Sequence, residues 1–135
     1  MNIKEIGRFM VAGNAVFRYT NHATKKQFVY KVKQAGEEPR WNVMVRCEIA
    51  GERDFGYIGM IKARQFRHTA RSFVTDESDE FDMFEFLFLH VIRGKELPKN
   101  REFEHMGRCG RCGRLLVEPD SVERGLGPKC AEMQA

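Results

Sequence analysis

Trp41-Asn-Val-Met-Val-Arg-Cys-Glu-Ile49 decides the fold class. Trp41, Val43, Val45, Cys47 and Ile49 fall on one side of an extended chain, and Asn42, Met44, Arg46 and Glu48 on the other. Such alternation describes a strand that buries one face. Upstream, Gln27-Phe-Val-Tyr-Lys-Val-Lys33 alternates in the same way, with Phe28, Tyr30 and Val32 sharing a face. Before it, Ala15-Val-Phe-Arg-Tyr-Thr20 is rich in β-formers, and Phe9-Met-Val-Ala12 ahead of Gly13-Asn14 reads as a further extended stretch. Polar turns lie at 20–26 and 34–40, and Ala50-Gly-Glu-Arg-Asp54 leads into another strand, Phe55-Gly-Tyr-Ile-Gly-Met-Ile61. Strands at this spacing with no helix between them predict an antiparallel meander, closed as a small barrel or left as an open sheet.

One helix is predicted over residues 79–93. Ser78 can cap it, and Asp79, Glu80 and Asp82 put negative charge where the first-turn N–H groups are unpaired. Arg93 and Gly94 mark its end. Phe81, Phe84, Leu87, Phe88, Val91 and Ile92 recur at spacings of three and four, so the helix packs on the sheet or offers its flanks to a second copy. The fold class is therefore α+β: an antiparallel sheet or small barrel with one packing helix over residues 1–98, and a C-terminal module over 99–135.

That module is written in cysteine and glycine. His105-Met-Gly-Arg-Cys109-Gly-Arg-Cys112-Gly-Arg, with Cys130 eighteen positions on, contains the C-x-x-C-G turn in which two thiolates grip one ion. Three cysteines set among glycines predict one structural Zn²⁺, which would fix a segment too short to fold by burial alone. His105 stands four residues before Cys109 and is the expected fourth ligand; Asp120, Glu132, His90 and water are the competitors. A knuckle, a short strand at Leu115-Leu-Val117 and a cysteine opening a terminal helix predict a treble-clef-like or zinc-ribbon-like shape. Cys47 stands apart and reads as a small core residue.

Gly107-Arg-Cys-Gly-Arg-Cys-Gly-Arg-Leu-Leu116, followed by Pro119, Ser121, Arg124-Gly125, Gly127-Pro128 and Cys130, resembles a zinc-binding module of small, largely uncharacterised phage and prophage proteins. Gly13-Asn14 and Phe66-Arg-His-Thr69 extend the resemblance over most of the chain, though its specific part is the last 30 residues or so. It implies a phage origin, and hence the cytoplasm of an infected bacterium. It implies zinc on Cys109, Cys112, Cys130 and His105, and supplies no activity.

The formal net charge of +4 conceals an asymmetry: residues 1–73 carry 14 Lys/Arg against 6 Asp/Glu, and residues 74–104 carry 4 against 9. Lys62, Arg64, Arg67, His68 and Arg71 form a run without an acid, and Arg108, Arg111 and Arg114 surround the knuckle. These residues are the candidate nucleic-acid or partner face. No phosphate loop, Ser/His/Asp set or deaminase pattern is present, so a catalytic role is not expected. No run approaches the roughly 20 apolar residues a membrane span needs. The sequence thus predicts a non-catalytic accessory protein that binds nucleic acid or, alternatively, an inhibitor of a host enzyme or immune effector.

Overall fold

A computed structural model of the chain describes residues 1–49 and 52–133, with side chains at 1–47 and 54–133. Ala50 and Gly51, which open the expected turn at 50–54, lie outside the described residues. Six strands form one antiparallel sheet: β1 (Asn14–Asn21), β2 (Lys26–Gln34), β3 (Arg40–Ile49), β4 (Glu52–Lys62), β5 (Gln65–Arg67) and β6 (Arg101–His105). Their spatial order is β5-β4-β3-β2-β1-β6, so β1 to β4 form the expected meander, β5 extends it by a short strand the sequence pattern does not announce, and β6 returns to pair with β1. The sheet curls into a half-barrel.

The inner face follows the alternation seen in the sequence. Phe17 pairs with Tyr30, Tyr30 with Val45, Val32 with Val43, and all are buried. Tyr30 keeps its hydroxyl satisfied inside the core by donating to the Glu80 carbonyl at 2.7 Å. Burial of the phenol pushes its pKa up, with the charge of Glu80 adding to the effect. A register shift between Val43 and Met44 marks a bulge that helps the sheet bend.

Two helices fill the concave side. The expected one, α2 (Asp79–Arg93), has its first-turn cap where the Phe81 N–H reaches Ser78, and ends at Gly94 in the left-handed region. Phe84 meets Tyr30 at 5.3 Å between ring centroids, and Phe66 stacks on Phe81 at 4.6 Å. Phe88 is 4% exposed, so α2 lies in the core, and Leu89 is the large apolar side chain it leaves well exposed. We expect Phe88→Ala to cost about 3–5 kcal/mol in denaturant unfolding, the range for a buried aromatic whose site cannot collapse. A loss under about 1 kcal/mol would show that Phe88 packs loosely.

The other helix corrects the sequence reading. Residues 9–12 are not extended: Ile3–Met10 is helical (α1) and carries Phe9 in its last turn. Asn2 accepts from the Glu5 N–H, and Glu5 answers the Asn2 N–H, a complete capping box. Glu96 then accepts the free Ile3 N–H at 2.7 Å and ties the helix start to the segment after α2. Ile3, Ile6, Phe9 and Met10 join the same core as the sheet and α2. No helix among the described residues is long and apolar enough to cross a membrane.

Candidate metal centre

β6 ends at His105, and the chain turns directly into the knuckle. Arg108 bridges to Leu115, the Cys109 N–H donates to the Arg114 carbonyl at 2.8 Å, and the Gly113 N–H donates to the Cys109 carbonyl at 2.9 Å. This tight hairpin needs Gly113 at φ +77°, a conformation costly for other residues. The strand expected at 115–117 is reduced to that single bridge. Helix α3 (Pro119–Arg124) follows, then a left-handed Gly125, then α4 (Pro128–Met133) with Cys130 in its first turn.

The two halves of the module are clamped to each other and to the sheet. The Gly110 N–H donates to the Gly125 carbonyl at 2.9 Å, while the Asn14 N–H at the start of β1 donates to the Gly110 carbonyl at 2.7 Å. Arg124 bridges the Leu126 carbonyl and the buried Ser121 hydroxyl. Arg8 of α1 reaches the Ala131 carbonyl of α4 at 2.8 Å.

This scaffold brings Cys109, Cys112 and Cys130 together, with their sulfur atoms all within 4.8 Å of one another. Three thiolates on a tetrahedral zinc would sit about 3.8 Å apart, given bonds of about 2.3 Å. The cluster can therefore hold a metal ion with a small contraction. Cys109 and Cys130 are buried and Cys112 is exposed, so the site lies at the surface with one open side. A cavity of about 330 Å³ adjoins the three cysteines, lined also by Leu115, Leu116 and Val117.

The environment of Cys109 favours a thiolate. Burial by itself would raise the thiol pKa, but the backbone N–H groups of Cys112, Gly127 and Arg111, together with the Cys112 side chain, outweigh it and bring the value down to about 7. The Gly127 N–H lies 3.4 Å from the sulfur. Inward-pointing amides of this kind are the donors a metal-bound thiolate satisfies, so the donor set fits a metal. Cys130 moves the other way: burial raises its pKa, opposed by the guanidinium of Arg111 at 3.9 Å.

His105, the expected fourth ligand, stands outside this group. Its Nδ1 accepts the Gly107 N–H at 3.0 Å and its Nε2 bonds the Val122 carbonyl. Both ring nitrogens are thus committed, and the ring packs 5.8 Å from Phe9. Its position makes it a strut between β6 and α3. The other candidates are also placed elsewhere: His90 bonds the Phe86 carbonyl within α2, and Asp120 and Glu132 are exposed and outside the cysteine group. No fourth His, Cys, Asp or Glu among the described residues joins the three sulfurs. Cys47, half-buried on β3, is also separate from them.

A family of unknown function, DUF6011, matches residues 99–133. The matched segment begins just before β6 and takes in all three cysteines. No curated protein and no solved structure matches the chain.

The candidate basic residues divide into two places. Lys62, Arg64, Arg67, His68 and Arg71 are exposed around β5, at one edge of the sheet; Arg108, Arg111 and Arg114 belong to the knuckle beyond the other edge. Arg111 is not free on the knuckle, because its guanidinium lies against Cys130 and Met133. His68 is bound to the Val74 carbonyl at 2.8 Å, and Arg71 lies over the Tyr57 ring at 4.9 Å. The roles of Phe9, Asn14, Ser121 and Arg124 in seating the module escaped the sequence reading. Their residue types announce packing and capping, and only the topology shows what they hold.

Proposed function

We propose that this chain is a non-catalytic accessory protein of a phage or prophage that binds nucleic acid in the host cytoplasm, its C-terminal module folded around one structural Zn²⁺. Cys109, Cys112 and Cys130 would hold the ion, whose chemistry here is that of a cross-link between the knuckle and α4. Soft thiolates on a closed C-x-x-C turn favour zinc over harder cations. The fourth donor then comes from outside the group of His, Cys, Asp and Glu side chains that gather there.

The observation that carries the nucleic-acid reading is topological. β1 begins, β2 ends, β3 begins, β4 ends and β6 ends at the same end of the sheet. Arg40, Lys62 and Arg64 therefore lie at the same end of the sheet as the knuckle and its arginines, toward opposite edges of it. Arg64 sits at the tip of a two-residue hairpin turn in which both Ala63 (φ +53°) and Arg64 (φ +59°) adopt left-handed backbone. Such turns normally take Asn-Gly, so a strained Ala-Arg pair supports selection for the exposed arginine.

Arg64→Glu with Arg67→Glu is expected to weaken binding to all sequences alike, by at least about tenfold at low salt, with metal content and unfolding midpoint unchanged. Wild-type affinity should fall steeply between about 50 and 200 mM salt. Absence of binding to DNA or RNA at low salt would overturn the reading.

A second reading rests on a different observation. Leu115 is 64% and Val117 79% exposed, with Val122 and Met133 also exposed on the same module. Apolar side chains displayed around a rigid metal site suit a protein partner, as an inhibitor or modulator of a host enzyme or immune effector would require. Retention of one host protein by the wild-type chain, lost in a Leu115→Asp, Val117→Asp variant, would support it over the first.

A further inference from the structure

The sheet has a second face that no helix covers. Facing away from the core are Arg18 on β1, Lys31 and Lys33 on β2, Arg40 and Arg46 on β3, and, toward the edge, Lys62 on β4 and Arg67 on β5. Between β1 and β5, every charged side chain described on this face is a cation. None of them forms an ion pair among the described residues, where the ion pairs are His22–Glu102 and Lys26–Asp79. Among the described side chains, acids on this face appear at the far margin, where Glu102 and Glu104 lie on β6; by register Glu48, opposite Arg53, also falls on this face at the end of β3 away from the knuckle. Apart from Thr20, no described side chain on this face is buried, whereas the opposite face buries Phe17, Tyr19, Tyr30, Val32, Val43 and Val45. An antiparallel sheet solvated on one side normally carries mixed charge there, so the excess of cations among the described side chains of five strands calls for a partner of the other sign.

Two aromatic rings interleave with these cations. Phe55 lies under Lys31 Nζ at 5.6 Å and Arg46 Cζ at 5.5 Å, and Tyr57 lies under Arg71. Aromatic rings set among cations on an open sheet suit an unstacked base, whereas a duplex keeps its base faces out of reach. Across the strands, the register Arg67–Met60–Asn42–Lys33–Asn14 runs from the β5 edge to Asn14, whose N–H holds Gly110 of the knuckle. The outer face therefore connects the two basic segments that lie at opposite edges of the sheet. From β4 to β1 it spans about 15 Å at a strand spacing of about 4.8 Å, room for on the order of four nucleotides of single strand.

We propose that the outer face of the sheet is a binding platform for single-stranded nucleic acid, with Phe55 and Tyr57 stacking on bases and Lys31, Lys33, Arg46 and Arg67 holding phosphates. This deepens the nucleic-acid reading above and rests on it. The test is fluorescence anisotropy of the full, metal-loaded chain at about 50 mM salt with labelled oligothymidylate, oligouridylate and a mixed-sequence duplex. Both single strands should bind more tightly than the duplex, and a preference between them identifies DNA or RNA as the natural strand. Phe55→Ala should weaken single-strand binding about tenfold, in line with the loss of one base–aromatic stack. Because Tyr57 also receives the Thr69 hydroxyl at 3.0 Å, Lys31→Glu serves as a second variant at a site with no such structural duty. It should weaken binding to a similar extent without shifting the unfolding midpoint. Phe55→Trp should keep affinity, and its fluorescence should be quenched on titration with oligothymidylate. Binding that prefers duplex, or that survives Phe55→Ala and Lys31→Glu yet is lost on Arg64→Glu alone, would overturn the platform and leave the broader reading standing. No binding to any of the three probes would overturn both.

Discussion

Replacing Cys109 with serine is expected to abolish metal retention and to unfold the chain beyond about residue 106 while the sheet persists. Cys109 is the most buried of the three cysteines and the one whose sulfur draws several backbone amides. Without a metal, the module keeps a small apolar cluster of Ala12, Cys109, Leu126 and Cys130, with Leu116 and Ala131 at its border, its seat on Phe9 and a few hydrogen bonds to β1 and α1. That is too little burial to offset the ordering of some thirty residues at about 1–2 kcal/mol each in backbone entropy. Structural zinc contributes on the order of 10–16 kcal/mol of apparent binding free energy, which in such segments is folding free energy. Metal analysis should fall from about one ion per chain to near zero. Amide exchange should then lose protection in α3 and α4 and keep it at Tyr30, Val43 and Val45. A variant that kept α3 and α4 protected without metal would show that packing alone holds the module.

Phe9→Ala is the second large effect, because one ring joins the two halves of the protein. Phe9 is 0% exposed, meets Phe103 at 5.9 Å and Phe17 at 6.5 Å in edge-on geometry, and lies beneath the knuckle. A Cβ placed on Gly110 would come within 2.6 Å of this ring, and one on Gly125 within 2.7 Å, so the module rests directly on it. Removing the ring should cost about 3–5 kcal/mol of global stability. It should also speed amide exchange across residues 107–126 while the metal stays bound. A cost under about 1 kcal/mol would mean that the module is docked by its hydrogen bonds alone.

The parts of this fold that sequence made legible are those where one local period dominates. Tyr30 with Val32 on β2 and Val43 with Val45 on β3 are buried at alternate positions, and Asp79–Arg93 carries its own start and stop signals, so each element appears where its pattern places it. The elements that escaped are short or double-duty. In α1, Phe9 through Ala12 form an apolar run that suits a strand equally well, and the deciding signal is the Asn2/Glu5 capping box seven residues upstream. β6 is five residues long, and four of them carry ionisable side chains; pairing with β1 makes it a strand. The three cysteines were legible because C-x-x-C fixes two ligands locally and Cys130 is the one cysteine left within reach. His105 misled for the converse reason: its spacing suits a ligand, but β6 pairing with Phe17 holds its ring toward Phe9 and Val122. Spacing says how far a side chain can reach, whereas strand register says which way it points.

X-ray absorption at the zinc edge of the purified, unchelated protein tests the central claim most directly. The proposed zinc site predicts one zinc per chain with three sulfur neighbours at about 2.3 Å and one lighter neighbour. It also predicts a spectrum left unchanged by His105→Gln, because that ring is engaged with Gly107 and Val122. Fewer than three sulfur neighbours, or an imidazole signature that disappears in His105→Gln, would contradict it.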